Sequence, residues 1–219
     1  MNQRFTARSF LLLALLISFI LPVAGVDESK WHVLFDGSSL DGWRSNDETP
    51  GVFTIVDGGI LQVKGGRAHL FWMGTDAIPA KFTNFELRAD VRTTSGSNSG
   101  IFFHSRFQER GWPEWGLEAQ VNSTHKDARK TGSIYALQDI LNDAPSVDGQ
   151  WFRYLIKVEG KVVTVSINGE VVNQYTEPEG ITISENGKHA YLQEGTFAIQ
   201  GHDPKSTVFY KDIAVRVLD

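Results

Sequence analysis

Apolar and polar residues alternate with a period of two through most of the chain beyond about residue 30. Phe85, Leu87, Ala89 and Val91 are separated by Glu86, Arg88, Asp90 and Arg92, and Phe152, Tyr154, Ile156 and Val158 repeat the pattern. Successive side chains of a strand point to opposite faces, so each run predicts a half-buried β-strand. Val163, Val165 and Ile167 lead into Asn168-Gly169 and then Glu170, Val171 and Val172. An Asn-Gly pair between apolar runs predicts a tight hairpin, because both turn positions need positive φ. Ile213, Val215 and Val217 predict a closing strand. No long stretch carries a helical period. Clusters of Gly, Asn, Asp, Ser and Pro punctuate the runs, at 57–59, 65–66, 95–100 and 143–149. Many short strands so punctuated predict an all-β fold, an antiparallel β-sandwich or jelly roll. Residues 123–149 are the one long weakly patterned segment and predict a loop with a short helical turn, lying over one end or face of the sheets.

Two predicted strands carry unusual polar faces. In 115–122 the odd positions Trp115, Leu117, Ala119 and Val121 are apolar, and the even face holds Glu118, Gln120 and Asn122. In 195–202, Phe197 and Ile199 face the core, while Thr196, Ala198, Gln200 and His202 share the other side. Carboxylate, amide and imidazole groups beside small residues leave room for a ligand to dock, with an ordinary solvated face as the alternative. A third strand follows Asn98-Ser99-Gly100, and parity puts Phe102, His104 and Arg106 on one face and Ile101 and Phe103 on the other. Of six tryptophans, Trp31, Trp43 and Trp151 adjoin strand patterns and are expected in the core. Trp72, Trp112 and Trp115 lie near Gly and Pro, where an exposed indole can stack on a sugar ring.

The N-terminus changes the compartment. Arg4 and Arg8 precede an apolar run from Phe10 to Leu21, and Pro22-Val23-Ala24-Gly25 ends it with small residues. This is the order of a cleavable secretory signal, shorter than the roughly twenty apolar residues a bilayer span needs. Residues 1–25 are therefore expected to be removed, leaving a single domain over 26–219 in an exported protein, periplasmic or extracellular. The chain has no cysteine, which excludes disulfides, thiol chemistry and lipid attachment at a cysteine. The formal charge is −5, and losing the two signal arginines makes it more negative. An acidic surface repels phosphate backbones and anionic lipid heads, so neither nucleic acid nor membrane is expected as a partner after cleavage. A neutral carbohydrate suits this balance. The six histidines show no zinc-binding spacing, no nucleophile elbow occurs, and no phosphate-cradling loop is present. No cofactor is evident.

Eight short motifs in order carry a resemblance over the whole predicted domain. They are Leu34-Phe35-Asp36-Gly37 with Leu40-Asp41-Gly42-Trp43, Asn98 to Phe103, Gly116-Leu117-Glu118-Ala119-Gln120, and Thr131-Gly132-Ser133-Ile134-Tyr135. Gly149-Gln150-Trp151, Ile167-Asn168-Gly169, Gly195 to His202 and Tyr210-Lys211-Asp212-Ile213 complete them. The chain thereby resembles the 3-keto-disaccharide hydrolase family, whose fold is a concanavalin A-like jelly roll. Departures are His104 where the family commonly has Arg, Asn122 where it has Asp, and Phe152 where it has Asn. The resemblance implies action on glycosides oxidised at carbon 3, by elimination and hydration, with a 3-keto-glycoside as substrate. It implies His104 or His202 as base and Glu118 as the other proton-handling group. Asn98, Arg106, Gln120 and Gln200 would hold hydroxyls or an enolate oxygen, with Trp115 and Tyr135 completing the substrate site. A divalent cation at the ketone is compatible with that chemistry, and its ligands are not identified. A non-catalytic, lectin-like carbohydrate-binding module is the alternative reading. A conventional endoglucanase is disfavoured, since no E-x-D-x-E strand occurs.

Overall fold

In a computed structural model that describes residues 30–46, 48–180 and 189–219, the chain forms thirteen strands and, among those residues, no α-helix. The predicted signal at 1–25 lies outside the described residues. In chain order the strands are β1 (His32–Phe35), β2 (Trp43–Ser45), β3 (Phe53–Val56), β4 (Ile60–Lys64), β5 (Ala68–Trp72), β6 (Phe85–Thr93) and β7 (Ser99–Ser105). There follow β8 (Leu117–Val121), β9 (Phe152–Glu159), β10 (Val162–Ile167), β11 (Glu170–Thr176), β12 (Thr196–Gly201) and β13 (Thr207–Val217).

Two antiparallel sheets face each other, as expected of a sandwich. The larger runs β11-β10-β9-β6-β13-β4-β3, with β1 also on β13; the smaller runs β2-β5-β12-β7-β8. The predicted alternation holds in the larger sheet. Phe85, Leu87, Ala89 and Val91 pair in register with Val158, Ile156, Tyr154 and Phe152, and all eight are buried. Asn168 and Gly169 have φ of 53° and 86°, so the hairpin between β10 and β11 takes the predicted left-handed turn. The closing strand β13 is the axis of this sheet. Its first half pairs with β4 and its second with β1, the change falling at a bulge where Asp212 takes φ 50°.

Inner faces of both sheets merge into one core in which Phe85, Phe103, Phe197, Leu70, Ile101, Tyr154 and Tyr210 are buried. Polar atoms that cross the core are matched. Ser99 Oγ donates to Gln200 O (2.5 Å) and meets Tyr210 Oη (2.7 Å), while Tyr154 Oη donates to Gln120 O (3.2 Å). These bonds tie the polar strands β7, β8 and β12 to the larger sheet and fix their register.

Residues 123–149 form turns and bridges with no helical turn. The reason is local: their backbone is committed to the free edge of β8. Gly132 N donates to Gln120 O (3.0 Å), Gln120 N to Ser133 O (2.9 Å), and Tyr135 N to Glu118 O (2.9 Å). The 131–135 motif thus covers an edge that would otherwise be open. Among the tryptophans, Trp72 is core rather than exposed, 1% accessible, with Nε1 on Pro79 O (2.9 Å). Trp31 and Trp151 are the converse. They lie half-buried, Trp31 under Arg88 and Arg216, and Trp151 under Arg92 and Lys211.

Candidate functional site

Strands β5, β7, β8 and β12 of the smaller sheet are buried on both faces, although their outer face carries Glu118, Gln120 and Gln200 beside a small apolar cluster of Phe71, Phe102 and Ala198. Glu118 and Gln120 on β8 stand opposite Phe102 and Gly100 on β7, and β12 lies on the far side of β7. Gly100 is the gap that joins β8 to β12. A Cβ at this position would overlap Glu118 Oε1 and lie 3.0 Å from its Cγ and Cδ. Without that carbon, the Glu118 carboxylate crosses over β7, and Gln200 Nε2 donates to Oε1 at 2.8 Å. Neighbouring strands lie about 4.8 Å apart, so a long side chain spans two strands only where the middle one carries no side chain. Gln200 Oε1 is left buried with no partner.

Above this bridge lies a polar cavity of about 660 Å³, lined by Glu118, Gln120, Tyr135, Gln200 and His202, and by Arg67, Gly111, Trp112, Glu114 and His189. Its size is that of an ordinary small-ligand site. Residues 107–114 form one wall. Glu48 fixes that wall by accepting from Gly111 N (2.9 Å) and from Arg67 Nε (2.9 Å). Arg67 in turn lies over Trp112, whose ring is 5.4 Å from that of His202. His202 Nδ1 and Asp203 Oδ2 are 2.9 Å apart. Burial opposes ionisation of Asp203, but hydrogen bonds from Ser206 Oγ, His202 and Lys205 N outweigh it and hold its carboxyl at about 2. An ionised Asp203 beside Nδ1 orients the imidazole with its Nε2 free to serve the cavity.

Five of the nine sequence-predicted residues therefore meet in one cavity: Glu118, Gln120, Tyr135, Gln200 and His202. Asn98 lies behind them, its Nδ2 3.3 Å from Nδ1 of His125. Trp115 is stacked at 4.1 Å on His189 and is thus one layer removed. Arg106 lies 3.7 Å over the Trp115 ring, donates to Gln193 Oε1 (2.7 Å), and faces a separate cavity of about 610 Å³.

His104 is a correction. Parity puts it on the face of Phe102, but β7 slips register against β12 between Ala198 and Thr196, and His104 takes φ 54°. Its ring turns inward onto Phe85 and Phe103. Nε2 donates to Thr83 O (2.9 Å) and Nδ1 accepts from Gln193 N (3.2 Å), so one neutral tautomer satisfies both nitrogens. Burial lowers its pKa to about 4, against a smaller opposing pull from the Thr83 carbonyl. The turn is admitted by two glycines. A Cβ on Gly195 would sit 2.6 Å from His104 Cα, and one on Gly116 2.7 Å from its carbonyl carbon.

The sequence reading missed Arg67, Glu114, His189, His125 and Asp203. Asp203 carried a signal, as the residue next to His202 in a turn-forming Asp-Pro-Lys-Ser. His125 is placed by Asn122, whose Oδ1 accepts from His125 N (2.8 Å) while its Nδ2 donates to Asp127 O and Arg129 O. Asn122 thus shapes the loop rather than lining the cavity. Glu114 is exposed at the rim.

A family model described as a 3-keto-alpha-glucoside-1,2-lyase-like domain matches residues 30–216. The chain belongs to that family. It is 29% identical over 175 residues to a 3-keto-disaccharide hydrolase of Bacteroides thetaiotaomicron, an alignment that covers 68% of this chain and 60% of that relative. The chain therefore spans less than two thirds of the relative's length. Among solved structures, a candidate glycosyl hydrolase of Parabacteroides distasonis superposes with a TM-score of 0.71 at 20% identity, covering 87% of this chain and 95% of that one. A carbohydrate-binding module of Bacillus subtilis superposes with a TM-score of 0.54 at 13% identity, covering 80% of this chain and 95% of that one. At such identities these structures establish the fold, the antiparallel jelly-roll sandwich, and not the chemistry.

Proposed function

We propose that the protein cleaves glycosides oxidised at carbon 3, by elimination across carbons 1 and 2 followed by addition of water. The observation that carries this reading is a single buried carboxylate, Glu118, held by Gln200 over Gly100 in a polar cavity beside the His202–Asp203 pair. A ketone at carbon 3 acidifies the proton on carbon 2. Glu118 takes that proton, and the electron pair moves to the ketone oxygen as an enolate. When the pair returns, the bond from carbon 1 to its oxygen breaks, and the leaving oxygen departs with the proton that Glu118 took, which restores the carboxylate. The product holds a double bond between carbons 1 and 2, to which water adds. Positive charge is needed where the enolate oxygen forms, and the His202 corner, with ionised Asp203 behind it, supplies the place for it.

The unpartnered Oε1 of Gln200 supports a hydroxylated ligand, because a buried acceptor without a donor costs free energy that a sugar hydroxyl would relieve. Trp112 offers an apolar face for the ring. The signal-like order of residues in 1–25 supports an exported protein, and intact-mass measurement of exported material tests it. Family membership and the hydrolase name of the Bacteroides relative support the substrate class.

Incubation with a 3-keto-glucoside and its unoxidised parent tests the reaction. Release of the aglycone from the oxidised compound alone is expected. Equal cleavage of both would overturn elimination and point to a two-carboxyl hydrolysis with Glu114 as the second member. Binding without release from either would establish the lectin-like alternative.

A further inference from the structure

At the His202 corner of the cavity, two imidazoles and a carboxylate converge. The donor atoms of His125, His202 and Asp203 lie within 4.8 Å of one another. His202 Nδ1 is 2.9 Å, and His125 Nε2 3.8 Å, from the same Asp203 Oδ2. Two histidines and one carboxylate are the donor set that binds first-row divalent cations while leaving coordination positions open. Ligand spacings around such an ion are about 3 Å, given bonds near 2.0–2.2 Å, so small side-chain adjustments suffice.

The loops that carry these residues are already shaped. Asn122 holds the His125 backbone N–H, and the nearly buried Lys130 holds the His125 carbonyl with Nζ at 2.7 Å. Lys205 N and Ser206 Oγ hold Asp203 at 2.9 and 2.6 Å. An independent observation comes from Asn98, which is 2% exposed with Oδ1 buried and unpartnered. Its Nδ2 instead faces His125 Nδ1 at 3.3 Å. Turning this amide over, an orientation that hydrogen bonding alone decides, brings Oδ1 to the Nδ1 position. The orphan acceptor then receives Nδ1–H, and His125 is fixed in the tautomer whose Nε2 lone pair is available to a metal. The Asp127 N–H, which reaches Nδ1 at 3.2 Å in the other tautomer, gives way in this one.

We propose that His125, His202 and Asp203 form a site for a divalent transition-metal ion of the zinc or manganese class, open towards the cavity. This rests on the keto-glycoside reading for its purpose: the cation would accept the ketone oxygen as a ligand and balance the enolate charge, with no change of oxidation state. Asn98 is then a positioning residue for His125, and not a group that touches the sugar.

Calorimetric titration of chelator-treated protein with Zn²⁺ and with Mn²⁺ tests the site without reference to turnover. One saturable ion per chain is expected for at least one of the two. His125→Ala and His125→Gln should weaken binding at least tenfold, and Asn98→Ala about tenfold, as the loss of an outer partner does. Circular dichroism and melting of each variant separate lost binding from lost folding, and Gln keeps the local polarity if Ala does not fold. Absence of stoichiometric binding, or binding unchanged in a folded His125 variant, overturns the site. Full cleavage of the keto-glucoside by chelated protein also overturns it and leaves the proposed reaction standing. Stoichiometric binding lost in His125→Gln, with no keto-glycoside cleaved, upholds the site and overturns the reaction.

Discussion

Along β9 in the larger sheet, buried and half-buried residues alternate from Phe152 to Lys157; along β8 in the smaller sheet, all of Leu117–Val121 are buried. Both strands alternate apolar and polar residues in sequence, apart from Leu155 on the outer face of β9, and they differ in what covers their second face. Outward residues of the larger sheet pair with one another at the surface, as Arg153 does with Asp90, and as Arg216, which reaches solvent, does with the buried Glu86. Those of the smaller sheet lie beneath residues 107–114 and the 123–149 segment. A polar group so enclosed costs free energy unless it is paired. The smaller sheet therefore has Glu118 and its amides enclosed, with Gln200 Oε1 unpartnered, where the larger sheet pairs Asp90 and Glu86 with arginines that reach solvent. An identical alternation thus serves solubility on one side of the molecule and a ligand site on the other.

The sharpest way to break this contrast is to remove charge from the covered face. Glu118→Gln should lower turnover of a 3-keto-glucoside by about 10²-fold or more, the scale of a positioned proton-transfer group. Stability should change little, since Gln keeps the shape and a hydrogen-bonding oxygen for Gln200. Steady-state kinetics with a melting curve check both halves. A drop smaller than threefold would remove Glu118 from the chemistry.

The next effect belongs to His104. Its pKa of about 4 lies below the ordinary value of 6.5, so the folded state disfavours the proton that the unfolded chain accepts. Its contribution is complete above pH 6.5 and declines as pH falls towards 4, amounting to roughly 3 kcal/mol over that window. Denaturant unfolding at pH 7 and pH 4.5 should show the loss, and His104→Gln should flatten this part of the profile. An unchanged slope in that variant would assign the pH dependence elsewhere.

These two residues also show where the sequence was legible. Glu118, Gln120 and Gln200 sit within regular stretches, so counting by twos placed them on the outer face. His104 lies where the count fails. Its bulge depends on the missing side chains of Gly116 and Gly195, which lie 12 and 91 positions away in the chain and are brought beside it only by the fold. Trp72 was misread for a related reason, since the nearby Gly74 suggested exposure while its indole fills the core. His125 could not be placed at all, because the loop that carries it is organised by Asn122 and Lys130 and has no period of its own. The sandwich itself was readable, since half-buried strands and an Asn-Gly turn are local features.

A moderate effect is expected at Gly100. Gly100→Ala keeps an allowed backbone, as its φ is not positive, but its Cβ must displace the end of Glu118. The carboxylate is a flexible group and can move, so the fold should survive with a melting temperature within a few degrees. Turnover should drop about tenfold or more, because a displaced base loses its alignment. Wild-type turnover in Gly100→Ala would show that the bridge to Gln200 has no catalytic meaning.

The smallest effect is expected on the open face. Arg153 reaches Asp90 through two nitrogens, but it is 41% exposed and Asp90 15% exposed. Such a pair has solvent available to both partners, so separating them strands no buried charge. Arg153→Met should cost less than about 1 kcal/mol by denaturant unfolding and leave turnover unchanged. That small cost should shrink further in 1 M salt, where screening acts within a few ångströms. Gln200→Met is the matched change on the covered face. It removes the donor that holds Glu118, so it should reduce activity at least tenfold and depend little on salt, since both partners of the bridge are largely buried. Similar losses of stability and activity in the two variants would mean that the loops covering the smaller sheet do not isolate it, and that the difference between the sheets lies only in their residues.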